Sequence, residues 1–175
     1  DYDVVNVEQD HRYRDFWQTY HRMTERKGVT APIAKIEMRR RLSLIGAMLL
    51  HKGEVDGLIA GTWGHTAHHL NYIEQVIGKR PGVTTFACMN GLLLPDRQVF
   101  LVDTHVNYDP TAEQLTEITM MAAEEMLRFG IKPKAALLSH SNFGSSDQPS
   151  AVKMRRTLEL LRVQAPWLEV DGEMH

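Results

Sequence analysis

Apolar residues recur at intervals of three and four along much of the chain, and short unbroken apolar runs separate these stretches. Phe16, Trp17, Tyr20 and Met23 share one helical face, which predicts an amphipathic helix from about residue 11 to 27, ended by Gly28. Thr30 and Pro32 predict the capped start of a second helix. Residues 42–50 are long and apolar enough for a buried third helix, closed by His51-Lys52-Gly53. Leu70, Ile73, Val76 and Ile77 predict a fourth, beginning at Thr66 and ended by Gly78. Thr111 caps a helix running to Arg128 before Gly130, and Pro149 opens another that continues to Val163.

Short apolar runs at residues 4–7, 56–61, 135–138 and 168–175 predict strands, and 84–94 with 99–106 predict a hairpin across Pro95-Asp96-Arg97-Gln98. Strands alternating with helices give a three-layer α/β domain, a mostly parallel sheet with one antiparallel hairpin. Ligands of open α/β sheets sit beyond the carboxyl ends of the strands. That rule selects residues 62–66, starting at Thr62, with 103–107, 139–145 and 171–175 as one candidate rim.

The most informative stretch is Ala135-Ala136-Leu137-Leu138, which reads as a buried strand and breaks directly into Ser139-His140-Ser141-Asn142-Phe143-Gly144-Ser145-Ser146-Asp147. Hydroxyls and a glycine between a strand and a helix N-terminus suit an anion or a polar ligand. Ser145, Ser146 and Asp147 are helix-capping types for the helix at Pro149.

Composition sets the outer limits. With 175 residues, 43% hydrophobic and 24% charged, the chain is large enough for one real core. Its net charge of -2 argues against a nucleic-acid partner. No apolar stretch approaches the roughly 20 residues of a membrane helix. The single cysteine, Cys88, excludes an internal disulfide and fits a reducing, cytoplasmic compartment. Asp1 is no initiator methionine, and the chain stops directly after a strand-like run, so a truncated piece of a longer polypeptide is expected.

Several side-chain groups carry candidate chemistry beside plainer readings. Ser139, Ser141 or Ser145 with His140 as base would make a nucleophile, but the Gly-x-Ser-x-Gly elbow is missing, and loop and cap chemistry is the better reading. His65, His68 and His69 lack a cysteine or a third spaced ligand, so they read as polar rim histidines rather than a metal site. Asp103, Asp109, Asp171 and Glu173 are candidates for acid/base work or magnesium, and equally for caps and loop anchors. Arg39-Arg40-Arg41 reads as a solvated face at a helix start rather than an anion patch. Met120, Met121 and Met126 read as core filler, and Trp17, Trp63 and Trp167 as packed bodies with a polar handle.

Asp56-Gly57-Leu58-Ile59-Ala60-Gly61, Thr66-Ala67, Lys79-Arg80-Pro81-Gly82-Val83, Leu137-Leu138-Ser139, Gly144-Ser145 and Asp171-Gly172-Glu173 resemble, in this order, the phosphate acetyltransferase/butyryltransferase family. The strings from Ala136 to Asp147, from Met89 to Pro95, Glu117-Ile118-Thr119 and from Asp171 to His175 are similar to one branch. That branch is the C-terminal transacetylase-like domain of large bacterial NADP-dependent malic enzymes. The resemblance implies a fold like that of isocitrate and isopropylmalate dehydrogenases, with two α/β subdomains and a cleft. It also implies a homo-oligomer and an acetyl-CoA ligand. Thr66, Ser139, Ser141, Asn142 and Ser145 are the implied ligand-binding residues. NADP, a divalent metal and malate oxidation belong to another part of the implied parent.

Departures from the family pattern matter as much as the matches. Asn71 stands where transacetylases of this family carry an arginine, and Thr24 takes the place of a second, with Arg26 a short step away. The family's catalytic serine, arginine and aspartate fall in a later segment that is absent from this chain. An amide has neither the charge nor the fork geometry of a guanidinium, and transfer to phosphate needs both. The resemblance therefore implies a regulatory, acetyl-CoA-binding domain without catalysis of its own. A working phosphate acetyltransferase and a pure oligomerisation scaffold are the rival readings.

Overall fold

The computed structural model describes residues 2–7, 9–61 and 63–175, and the described part of residues 1–80 holds four α-helices and no strand. Helix α1 (Tyr13–Thr24) buries Phe16, Thr19, Tyr20 and Thr24, spaced by three and four, along one stripe. A short 3₁₀ turn over Glu25–Lys27 follows, and Gly28 stops it with φ 92°, a left-handed conformation that an L side chain resists. Helices α2 (Ala31–Arg40), α3 (Leu42–His51) and α4 (Thr66–Val76) complete the unit. Phe16, Tyr20, Met38, Leu44, Ile45, Met48 and Val76 form its core. Each large apolar side chain here stabilises the fold by about 1.5–3 kcal/mol before entropy is counted. Tyr20 carries its hydroxyl into this core and donates it to Gln75 Oε1 at 2.7 Å.

Residues 81–175 form the second compact unit. Strands β1 (Met89–Leu93) and β2 (Gln98–Val102) pair as an antiparallel hairpin, with Leu93 opposite Gln98 beside the turn. Helix α5 (Ala112–Arg128) starts on a complete capping box. Gln114 N donates to Thr111 Oγ1 at 3.2 Å, and Thr111 N donates back to Gln114 Oε1 at 2.9 Å. Strand β3 (Lys134–Leu138), helix α6 (Pro149–Gln164) and strand β4 (Glu169–Met174) make a β-α-β unit in which β3 and β4 run parallel. Ala123, Leu137, Leu158, Leu161, Ala165 and Leu168 are its core.

The helices and the hairpin match the sequence pattern closely. The mostly parallel sheet does not: the described residues hold two separate two-stranded sheets, β1-β2 and β3-β4. The runs at 4–7 and 56–61 are irregular chain rather than strands. Neither run pairs with a strand among the described residues. Leu58 packs against the α3 core near Gly46, whereas Ile59 is fully exposed. In β3 only Leu137 is fully buried, and Leu138 lies open. Arg39 to Arg41 straddle the α2–α3 junction instead of opening a helix. Trp63 is exposed rather than packed, and Trp167 is half-exposed. Met120 packs on the second core, as its place in the pattern predicts.

Gly172 sets the spacing of β3 and β4. A Cβ there would sit 2.7 Å from the Leu137 carbonyl oxygen and 2.8 Å from the Leu137 Cβ, at φ 144°. Both the contact and the backbone angle exclude an ordinary side chain. Gly172→Ala is expected to destabilise residues 81–175 by about 2–4 kcal/mol from strain and displaced packing. Thr111→Ala is expected to cost about 1 kcal/mol through the lost cap. Urea unfolding of the two variants and the parent checks both values and their order.

Candidate functional site

The carboxyl ends of β3 and β4 lie side by side, and the 139–147 loop leaves β3 there. Backbone bonds tie it to β4: Ser139 N donates to Met174 O at 2.9 Å, and Phe143 N to Glu173 O at 2.8 Å. His175 N donates to Asn142 Oδ1 at 2.8 Å. Phe143 and Gly144 turn the chain with successive positive φ values of 47° and 86°. This turn aims the Gly144 amide inward.

The centre of the loop is Glu173. Its side chain has no exposed surface and is met by the loop and by Arg155. Glu173 Oε1 accepts from Ser141 Oγ at 2.7 Å, from Gly144 N at 2.9 Å and from Arg155 Nη1 at 3.2 Å. Oε2 is buried without a hydrogen-bond partner among the described residues. The Ser141 hydroxyl, the Gly144 amide and the Arg155 charge together outweigh desolvation and pull the Glu173 pKa from 4.5 down to about 2. Arg155, on α6, also donates to Ser146 O at 2.9 Å and to Asp147 Oδ1 at 3.2 Å, so one guanidinium clips the far end of the loop to the buried carboxylate.

The serines are engaged inside the loop. Ser139 Oγ accepts from Ser141 N at 2.9 Å. Ser141 gives its proton to Glu173, so Ser145 Oγ donates to Ser141 Oγ across 3.0 Å while accepting from Asn142 N at 3.0 Å. Asn142 is exposed, with its carbonyl oxygen on His175 N. His140 meets Ser146 and Ser150 at 3.3 Å each, not Ser139, Ser141 or Ser145, and no serine–histidine nucleophile is assembled there. The loop residues do not cap α6: its N-cap is Gln148, whose side chain makes no cap bond.

Thr66 lies in the other unit, exposed at the first position of α4. Thr62 falls outside the described residues. Thr24 is fully buried and donates its hydroxyl to Tyr20 O at 2.7 Å, while Asn71 accepts from Gln75 Nε2 at 3.3 Å. Arg26 is exposed on the 3₁₀ turn. Asp103 anchors its own turn. Burial alone would raise its pKa, but bonds from Asn107 and from the Cys88 amide lower it overall. Among the described residues, no three His, Cys, Asp or Glu side chains gather as a metal site. No helix is long and apolar enough to cross a membrane.

Sequence reasoning found the loop and named Glu173 only as one of four acidic candidates. Arg155 escaped it, because a solvated helix face and a loop clip look alike in a sequence. The low pKa of Glu173 has a measurable sign. A depressed carboxylate contributes stability above the unfolded value, and that contribution is lost as pH falls from 4.5 towards about 2. Glu173→Gln is expected to remove this acid-sensitive component and to speed amide exchange across residues 139–147 at neutral pH. Urea midpoints against pH, with hydrogen exchange of the loop, check both effects.

A family model described as phosphate acetyl/butaryl transferase matches residues 1–175. The NADP-dependent malic enzyme of Escherichia coli (strain K12) is 49% identical over 175 residues, covering 100% of this chain and 23% of that protein. The NAD-dependent malic enzyme of Rhizobium meliloti (strain 1021) is 47% identical over the same length, again 100% of this chain and 23% of its own. A phosphate acetyltransferase of Synechocystis sp. is 34% identical over 155 residues, 89% of this chain and 22% of that enzyme. The chain thus spans less than a quarter of each of these three relatives. Among solved structures, the EutD phosphotransacetylase from Staphylococcus aureus superposes with a TM-score of 0.80 at 24% identity, covering 99% of this chain and 53% of the other. That likeness establishes a shared fold.

Proposed function

The chain belongs to the phosphate acetyl/butaryl transferase family, and from that membership we propose that it is an acetyl-CoA-binding regulatory and oligomerisation domain of a malic enzyme. The observation that carries this reading is the pair of neutral residues where the family resemblance places arginines. Thr24 is sealed in the α1 core, and Asn71 is an amide on α4. Transfer of an acetyl group to phosphate needs cationic groups to gather the anion and to stabilise charge in the transition state. Binding an acyl-CoA requires less. The greater identity to malic enzymes, 49% against 34% for the phosphate acetyltransferase, supports the same assignment.

Ser139, Ser141, Asn142 and Ser145 in the loop, and Thr66 at the start of α4 in the other unit, are the proposed ligand-binding residues, each unit taken by itself. The three serines hold the loop's shape through Glu173, while Thr66, Asn142 and Ser145 are the exposed members. Ligand binding acts on the parent by favouring one assembly or domain arrangement over another. NADP and a divalent metal would serve malate oxidation in a different part of that polypeptide. Nothing in the proposed role of these 175 residues requires either group.

In the full-length protein, acetyl-CoA is expected to change the malate oxidation rate by about fivefold or more, while phosphate and acetyl-CoA yield no acetyl phosphate. Calorimetry with acetyl-CoA, malate-dependent reduction of NADP and an acetyl-phosphate assay on one preparation check this. Acetyl-phosphate formation would overturn the non-catalytic part. Binding without any change in malate oxidation would overturn the regulatory part.

A further inference from the structure

Helices α1 and α2 form a groove of about 600 Å³ lined by Tyr13, Arg14, Trp17, Gln18, Lys35, Ile36 and Arg39. Pockets of roughly 300–1,000 Å³ hold small molecules. Three of the seven lining residues are cations and none is acidic. The cations are also held in an unusual way. Lys35 Nζ stands 4.5 Å from the Trp17 ring centroid, and Arg39 Cζ stands 4.8 Å from that of Tyr13. Neither cation forms an ion pair among the described residues, and nor does Arg14. The acidic groups nearby are engaged elsewhere: Asp15 with Lys52, Glu37 with Arg41 and Tyr72, and Asp10 and Glu54 with Arg12.

This distinction decides what the groove can do. A carboxylate partner fixes a cation and also cancels its field. An aromatic face fixes the cation through its quadrupole and leaves the full charge available. Lys35 and Arg39 are therefore placed without being neutralised. The walls offer more than charge: the indole of Trp17, the phenol of Tyr13 and the half-exposed Ile36 give apolar surface, and Gln18 offers an amide that both donates and accepts. Tyr13 is braced by its own hydroxyl, which donates to Lys35 O at 2.8 Å across the groove floor and ties α1 to α2.

We propose that this groove is a binding site for a nucleotide diphosphate, with Arg14, Lys35 and Arg39 taking the phosphates and the Tyr13–Trp17–Ile36 wall taking the base. Three uncancelled cations suit a compact polyanion, and Arg supplies the planar fork that phosphate oxygens match. A bare inorganic anion would leave the apolar wall unused. An extended polyanion such as RNA is disfavoured because the three cations line one groove between two helices rather than tracking a long surface, and the chain carries a net charge of -2. The site is independent of the acetyl-CoA reading: its residues are none of those assigned to that ligand.

The test uses the full-length protein and ADP, pyrophosphate and adenosine as separate probes in calorimetry. ADP is expected to bind more tightly than either of the other two, and more weakly as salt is raised. The double variant Lys35→Ala/Arg39→Ala removes two exposed side chains and should weaken ADP by at least about tenfold with its melting temperature kept. Trp17→Leu should weaken ADP but leave pyrophosphate unchanged. Pyrophosphate binding as tightly as ADP would overturn the nucleotide assignment. Absence of ADP binding at millimolar concentration, or ADP binding that the double variant leaves untouched, would overturn the site. Because acetyl-CoA contains an ADP group, its binding to the double variant is measured in parallel: binding that persists there while ADP binding is lost separates this site from the acetyl-CoA site, and equal loss of both would overturn their independence.

Discussion

A carboxylate with no exposed surface must be met by donors, and Glu173 is met by three, each from a different part of residues 139–155. Around that requirement the end of the β-α-β unit is arranged. Gly172 lets β4 approach Leu137 closely enough to bring the next residue under the loop. The left-handed turn at Phe143 and Gly144 then delivers an amide, Ser141 a hydroxyl, and Arg155 a charge from α6. The serines around them bond to one another to keep Ser141 in place. Replacing a single partner would leave a buried charge short of donors, which is costlier than losing the same bond at a surface.

Local signals account for what the sequence reveals of this fold. A cap and its helix are neighbours, so Thr111 with Gln114, and the glycines at 28, 78 and 130, mark helix ends that the structure reproduces. The hairpin is legible for the same reason, since β1 and β2 are joined by a short polar turn. Strand pairing at long range leaves no such mark. The runs at 4–7 and 56–61 have strand-like composition, but composition carries no information on whether an edge is available, and both are irregular here. The 139–147 loop is legible because hydroxyls, glycine and proline cluster between a strand and a helix. Its dependence on Glu173 and Arg155 is not, because those contacts join residues 8 to 32 positions apart.

Two treatments of charge coexist in the chain, and they lead to opposite functional consequences. At the 139–147 loop the donors that suit an anion already hold one, the protein's own Glu173, so an incoming anion there meets an occupied Ser141 hydroxyl and Gly144 amide and a negative charge behind them. In the α1–α2 groove, cations rest on aromatic rings and keep their field. A loop sequence rich in serine is thus a poor guide to phosphate affinity by itself. What matters is whether the donors are still available once the chain has folded.

The same criterion bears on catalysis. Transacetylation would place a phosphate beside the acyl group and stabilise a doubly anionic transition state, which requires cations whose charge is free to act. The loop's own cation, Arg155, is divided among Glu173, Ser146 O and Asp147, and the two positions that the family resemblance assigns to arginine hold a sealed threonine and an amide. The charge of Arg155 is thus already countered by two carboxylates, Glu173 and Asp147. A loop built this way keeps its own shape, with its hydroxyl, amide and guanidinium donors already committed. Where the charges are committed, as much as which residues the sequence carries, decides what such a loop can offer.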